Sequence, residues 1–134
     1  MKQELQDKLF EKYPKIFRQK NLTPNETLMC FGIETGDGWF SLLDCLCQSI
    51  QLDLDQPRSE ETRQVEAVQV KEKFGGLRFY YTGGHDRIRG MVDLAESLSY
   101  KICDVCGGPG ETSQTGWART RCSDHQGAMA GINA

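Results

Sequence analysis

Apolar side chains recur at helical spacing near the start of the chain. Leu5, Leu9 and Phe10 share one side and Pro14 stops the run, which predicts a short amphipathic helix over about 2–13. Thr23-Pro24-Asn25-Glu26 has the form of a capping box with proline at the first helical position, so a helical turn is expected there. Gly32, Gly36 and Gly38 then interrupt the chain. Beyond them Trp39, Leu43, Leu46, Cys47 and Ile50 mark one face of a helix over about 38–51, with Asp37 placed as its N-cap. Residues 51–64 are polar, contain Pro57 and read as an exposed loop.

The period then changes from helical to alternating. Residues 65–74 and 77–82 are two β-prone runs around Gly75-Gly76, a hairpin signal. With Gly75-Gly76 as a two-residue turn, Phe74 would oppose Leu77, Lys73 would oppose Arg78, and Lys71 would oppose Tyr80. One face would then carry Val68, Val70, Phe74, Leu77, Phe79 and Tyr81, interrupted by Glu72. The other would carry Gln69, Lys71, Lys73, Arg78, Tyr80 and Thr82. Ile88, Met91, Val92, Ala95, Leu98 and Ile102 next predict a helix over about 86–101. The fold class expected is α+β, a small antiparallel sheet packed on helices. A strand near Trp117 could extend that sheet.

Composition adds mainly exclusions. The chain has 134 residues, 38% hydrophobic and 26% charged, which fits one ordinary globular domain. No apolar run approaches the roughly 20 residues that span a bilayer, and the first residues lack an apolar signal core, so no membrane association and a cytoplasmic location are expected. Residues 1–64 hold 8 Lys and Arg against 11 Asp and Glu, whereas residues 65–134 hold 8 against 8. Anion binding would therefore need a local patch. The 6 cysteines, in a reducing compartment, argue against a disulfide scaffold. Cys30, Cys45 and Cys47 lie in apolar surroundings and read as buried thiols.

The other three cysteines come with a histidine. Cys103-x-x-Cys106 and Cys122-x-x-His125 are separated by 15 residues, the pattern of two knuckles converging on one tetrahedral zinc ion. Four protein ligands leave no place for a reactive water, so the expected Zn2+ is structural. A zinc-ribbon-like Cys3His module over 103–125 would pack on an α+β domain over 1–102, followed by a flexible tail over 126–134.

Two other regions carry candidate chemistry, each with a plain structural alternative. Lys73 opposite Arg78 would be a like-charge pair unless an anion lies near, either Glu34 or Asp37 from the glycine-rich loop or an external ligand. Lys71, Lys73 and Arg78 would contact that ligand, while Tyr80 and Trp39 would stack on it. Alternatively the face is only solvated, Asp37 caps a helix and Trp39 is core. Catalysis has little to work with: His85 is the single histidine outside the metal pattern, and the cysteines outside it have no evident partner base.

Taken in order, the segments 31–39 (with Gly36-Asp37-Gly38-Trp39), 70–80 (Lys71-Glu72-Lys73-Phe74-Gly75-Gly76-Leu77-Arg78-Phe79-Tyr80) and the Cys-x-x-Cys and Cys-x-x-His pairs resemble a group of small proteins from phages, prophages and their bacterial hosts. The resemblance covers roughly residues 28–125. It implies a phage-type accessory protein that binds rather than catalyses, countering host defence by sequestering a signalling nucleotide or blocking a host protein. Where that group carries a glutamate-cysteine-glycine step this chain has Glu34-Thr35-Gly36, so no role for a cysteine transfers. The rival expectation is a nucleic-acid-binding zinc protein with Arg119 and Arg121 on phosphates. A small nucleotide-processing enzyme ranks below both.

Overall fold

The computed structural model describes residues 1–57, 61–114 and 116–126. Three helices form where the apolar periodicity places them: α1 (Gln3–Lys12), α2 (Phe40–Leu54) and α3 (Asp86–Ser99). α1 buries Leu9, and its end is closed by the Tyr13 amide on the Leu9 carbonyl at 2.9 Å, one residue before Pro14. Thr23 begins a single turn, its carbonyl accepting from the amides of Glu26 and Thr27, and the chain does not continue as helix. α2 buries Leu42, Leu43, Leu46, Cys47 and Ile50 and extends to Leu54, three residues past its expected end at 51. α3 is capped by His85, whose Nδ1 accepts from the Arg87 amide at 3.2 Å. In α3 Ser99 is buried, whereas Leu98 is largely exposed.

Three strands make the main sheet, in the order β1 (Ile33–Glu34), β2 (Glu66–Lys73), β3 (Gly76–Thr82). β2 is central, parallel to β1 and antiparallel to β3. Ile33, Val70 and Phe79 form one buried row across it. They join Leu9, Phe17, Trp39, Leu43, Ile50 and Ile88 in a single core. Among the described residues no buried side-chain nitrogen or oxygen lacks a hydrogen-bond partner, and no helix is long and apolar enough to cross a membrane.

The hairpin register corrects the expected one. Lys73 pairs with Gly76, Glu72 with Leu77, Lys71 with Arg78 and Gln69 with Tyr80. The turn is therefore Phe74-Gly75, with φ of 55° and 86°. Two successive positive φ angles give the turn whose twist matches that of the strands. Moving the turn back by one residue changes each partner by two positions, so residues keep their faces while the cross-strand pairs change. Phe74 leaves the core face and becomes 70% exposed at the tip. A bulge between Ala67 and Gln69 then places Ala67, not Val68, in the core.

The strand near Trp117 does not extend this sheet. β4 (Glu111–Thr112) and β5 (Thr120–Arg121) form a separate two-stranded sheet. A helical turn at 123–126 follows, and the Gln126 side chain donates to the carbonyls of Glu111 and Arg121. Gln126 thus belongs to the module; the rest of the expected tail lies outside the described residues.

Candidate metal centre

Cys103 and Cys106 sit on a tight turn directly after α3, closed by the Gly107 amide on the Cys103 carbonyl at 2.9 Å. Cys122 and His125 bracket the start of the helical turn after β5, with the His125 amide on the Cys122 carbonyl at 3.1 Å. The β4–β5 pairing and the Ile102–Pro109 bridge bring the two turns face to face. The ligand atoms of Cys103, Cys106, Cys122 and His125 all lie within 4.8 Å of one another. Cys103 Sγ is 3.5 Å from His125 Nδ1, Cys122 Sγ is 3.1 Å from the same nitrogen, and Cys106 Sγ is 3.8 Å from Cys122 Sγ. The cluster expected from spacing is assembled, and it is compatible with a structural metal.

The local electrostatics favour the thiolate at Cys103. Burial alone would raise the Cys103 thiol, but the amides of Cys122, Cys106 and Val105 around it outweigh burial and bring its pKa down to about 6. At Cys106 the Gly108 amide, 3.4 Å from Sγ, lowers the thiol, but burial and the neighbouring Cys103 and Cys122 thiols outweigh it and raise the pKa. Cys47 is the contrast: it is fully buried in α2, burial pushes its thiol far up, and it behaves as a small apolar side chain. Cys30 is half-buried and Cys45 exposed, so the expectation of three buried thiols holds for Cys47 alone.

The other two sequence motifs meet this centre as its docking surfaces. The Gly38 amide donates to the Asp104 carbonyl at 3.0 Å, and a Cβ on Gly38 would lie 2.2 Å from the Cys103 carbonyl oxygen. Only glycine lets the loop backbone approach the first knuckle this closely. Trp39 is fully buried beside it and donates from Nε1 to the Ile102 carbonyl at 2.8 Å. On the other side the Thr120 hydroxyl donates to the Gly75 carbonyl at 2.6 Å, and Thr112 bonds Thr120 at 2.7 Å. The glycine-rich loop and the hairpin turn thus grip the module from two sides.

This placement corrects several of the expected ligand contacts. Trp39 has no exposed ring to stack on anything. Asp37 does not cap α2; its Oδ1 accepts from the Lys2 amide at 2.8 Å, where the N-terminal segment runs beside β1. Lys73 does not face Arg78. Lys71 does, and Glu34 flanks it from β1, so the row across the outer face reads Glu34, Lys71, Arg78. Arg78 also has its own partners, Tyr100 at 3.1 Å and Glu96 at 3.5 Å. The face is balanced from within, and the like-charge pair needs no external anion. Tyr80, 42% exposed, pairs with Gln69 rather than Lys71.

A cleft of about 440 Å³ lies between the glycine-rich loop and the module, lined by Glu34, Asp37, Glu72, Asp104, Arg119 and Arg121 among others. Its arginines are engaged: Arg119 pairs with Glu72, and Arg121 with Asp104 at 3.1 Å. Both were the phosphate contacts expected of a nucleic-acid protein, and both are committed to carboxylates. Glu72, the polar exception on the core face, is explained by that pair. Neither ion pair was legible beforehand, because the partners lie 47 and 17 positions apart. His85 is likewise engaged, with Nε2 2.9 Å from Asp53. No family model, curated protein or solved structure matches the chain.

Proposed function

We propose that the Cys3His cluster holds one structural zinc ion in a zinc-ribbon-like module, and that the protein is a non-enzymatic binding module of phage-accessory type. The observation that carries the metal is the mutual spacing of the four ligand atoms. A tetrahedral zinc with thiolate and imidazole ligands has edges of about 3.8 Å between sulfurs and about 3.5 Å between sulfur and nitrogen. The Cys106–Cys122 and Cys103–His125 separations of 3.8 and 3.5 Å fit those edges, and the Cys122–His125 separation of 3.1 Å is shorter and would open on binding. Cys103, Cys106 and Cys122 would bind through Sγ and His125 through Nδ1.

With four protein ligands the coordination is closed, so the ion supplies folding free energy rather than a reactive water. What that energy fixes is the module's grip on the Gly36–Trp39 loop and the hairpin turn. Binding rather than catalysis is supported by the engagement of His85 with Asp53 and by its capping of α3. The motif order adds the context, action on a host-defence component through a nucleotide-type ligand or a host protein.

Native mass spectrometry of protein purified without added metal tests the centre, with one zinc per chain as the expected mass. Cys106→Ser should lose the ion and lower the melting temperature. A metal-free, fully folded wild-type chain would overturn the assignment.

A further inference from the structure

Resting on the binding-module reading, we propose that Phe74 at the hairpin tip and Trp117 ahead of β5 form a stacking platform for two bases of a single-stranded nucleic acid. Phe74 and Trp117 are 70% and 68% exposed, the two most exposed large apolar side chains among the described residues. They belong to different elements but to one end of the molecule. The Gly75 backbone abuts Thr112, Thr120 and Arg119, and Arg119 links both sides, pairing with Glu72 on β2 while its guanidinium lies 5.7 Å over the Trp117 ring. Each ring therefore carries a cation on one face, since Lys73 Nζ lies 5.4 Å over Phe74. A ring held by a cation on one side offers its other side to a base.

The backbone supplies an independent observation. Phe74 holds φ at 55°, a conformation bulky residues rarely adopt, in a turn position that glycine, asparagine or aspartate fills without strain. The fold thus tolerates a strained residue in order to project an aromatic ring into solvent. The residues flanking Trp117 in the sequence include the polar Ser113, Gln114 and Arg119, unlike the continuous apolar patch a protein interface buries. Charge agrees: Glu72 is neutralised by Arg119, while Lys73, which makes no ion pair among the described residues, holds its ammonium at the Phe74 ring, where it can also meet a phosphate.

The two tryptophans make the test direct, because Trp39 is fully buried and quenching by a large ligand reports Trp117. Oligothymidylate of about ten nucleotides, within the usual site size for single strands, is titrated into the metal-loaded full chain. Quenching is expected, with affinity falling only about two- to threefold between about 50 and 200 mM salt, the slope of a single phosphate contact. Phe74→Gly, which suits the positive φ and keeps the turn, should weaken binding by about tenfold or more. Lys73→Ala should remove the salt dependence. Thymidine monophosphate at equal base concentration should compete poorly, because it fills only one ring. No quenching, unchanged affinity in Phe74→Gly, or equal competition by the mononucleotide would overturn the proposal, the first returning the tip to protein contact and the last to a free nucleotide. Metal analysis of the same samples separates the two proposals: full metal without quenching removes the platform alone, whereas loss of metal and fold removes the module and the platform with it.

Discussion

The indole of Trp39 and the carbonyl of Ile102 are joined by a 2.8 Å hydrogen bond across 63 positions of sequence. Ile102 directly precedes Cys103, the first residue of the Cys3His cluster. The bond therefore ties the glycine-rich loop to the root of the Cys3His module inside the core. Trp39→Phe keeps most of the buried area but leaves that carbonyl without its donor. A loss of about 1–3 kcal/mol is expected from the denaturant midpoint. Metal should also pass faster to a competing chelator; unchanged transfer would show that the two sites are uncoupled.

Gly38 and Gly90 should respond oppositely to alanine. A Cβ on Gly38 meets backbone atoms of Cys103, Gly107 and Asp104 at 2.2–2.7 Å, none of which can swing away. Gly38→Ala should undock the first knuckle and cost about 2–4 kcal/mol, within the range of severe steric substitutions. Gly90 lies within α3 with nothing inside 4 Å of its built Cβ. Gly90→Ala should stabilise by about 0.5–1 kcal/mol, through helix propensity alone. Parallel melting curves check both signs.

The hairpin turn carries a removable strain. Phe74→Asn places at φ 55° a residue that tolerates it and creates the Asn-Gly pair favoured in such turns. The Lys73 contact with the ring is lost, a small term at an exposed site. Chemical denaturation should show a net gain of about 0.5–1 kcal/mol. A loss instead would mean that the ring packs on the body in solution.

Acid stability should depend on Glu66. The Arg18 guanidinium, bonded to it twice at 2.8 Å, and Gln19 hold its carboxyl below the ordinary range. Asp44 is lowered in the same direction, chiefly by the Tyr13 hydroxyl at 2.5 Å. A carboxyl with a depressed folded-state pKa stabilises the fold fully above its unfolded value, about 4. That contribution is lost as pH falls through the folded value. Glu66→Gln should therefore be less stable than wild type near neutrality, with the gap closing below about pH 4. Urea midpoints across that window measure it, and a gap of constant size would exclude the linkage.

Elements whose cause is local could be read directly from residue order. Helical periodicity placed α1, α2 and α3, because a buried stripe must recur every three or four residues. Alternation around two glycines announced a hairpin, and faces were legible since an even shift of register preserves them. Ligand spacing drew Cys103, Cys106, Cys122 and His125 together, because two short turns suffice to aim each pair.

How those pieces meet depends on packing between distant segments. The turn centre moved to Phe74-Gly75 and a bulge replaced Val68 by Ala67, outcomes of strand twist and core packing rather than of residue type. From residue type alone Trp39 could be a ligand contact or core, and its burial against the Cys3His module makes it core. Glu72 found Arg119, Asp104 found Arg121, and Glu34 came to lie beside Lys71. Each pairing joins segments far apart in the chain, and a side chain's partner, unlike its periodicity, exists only once the backbone has closed.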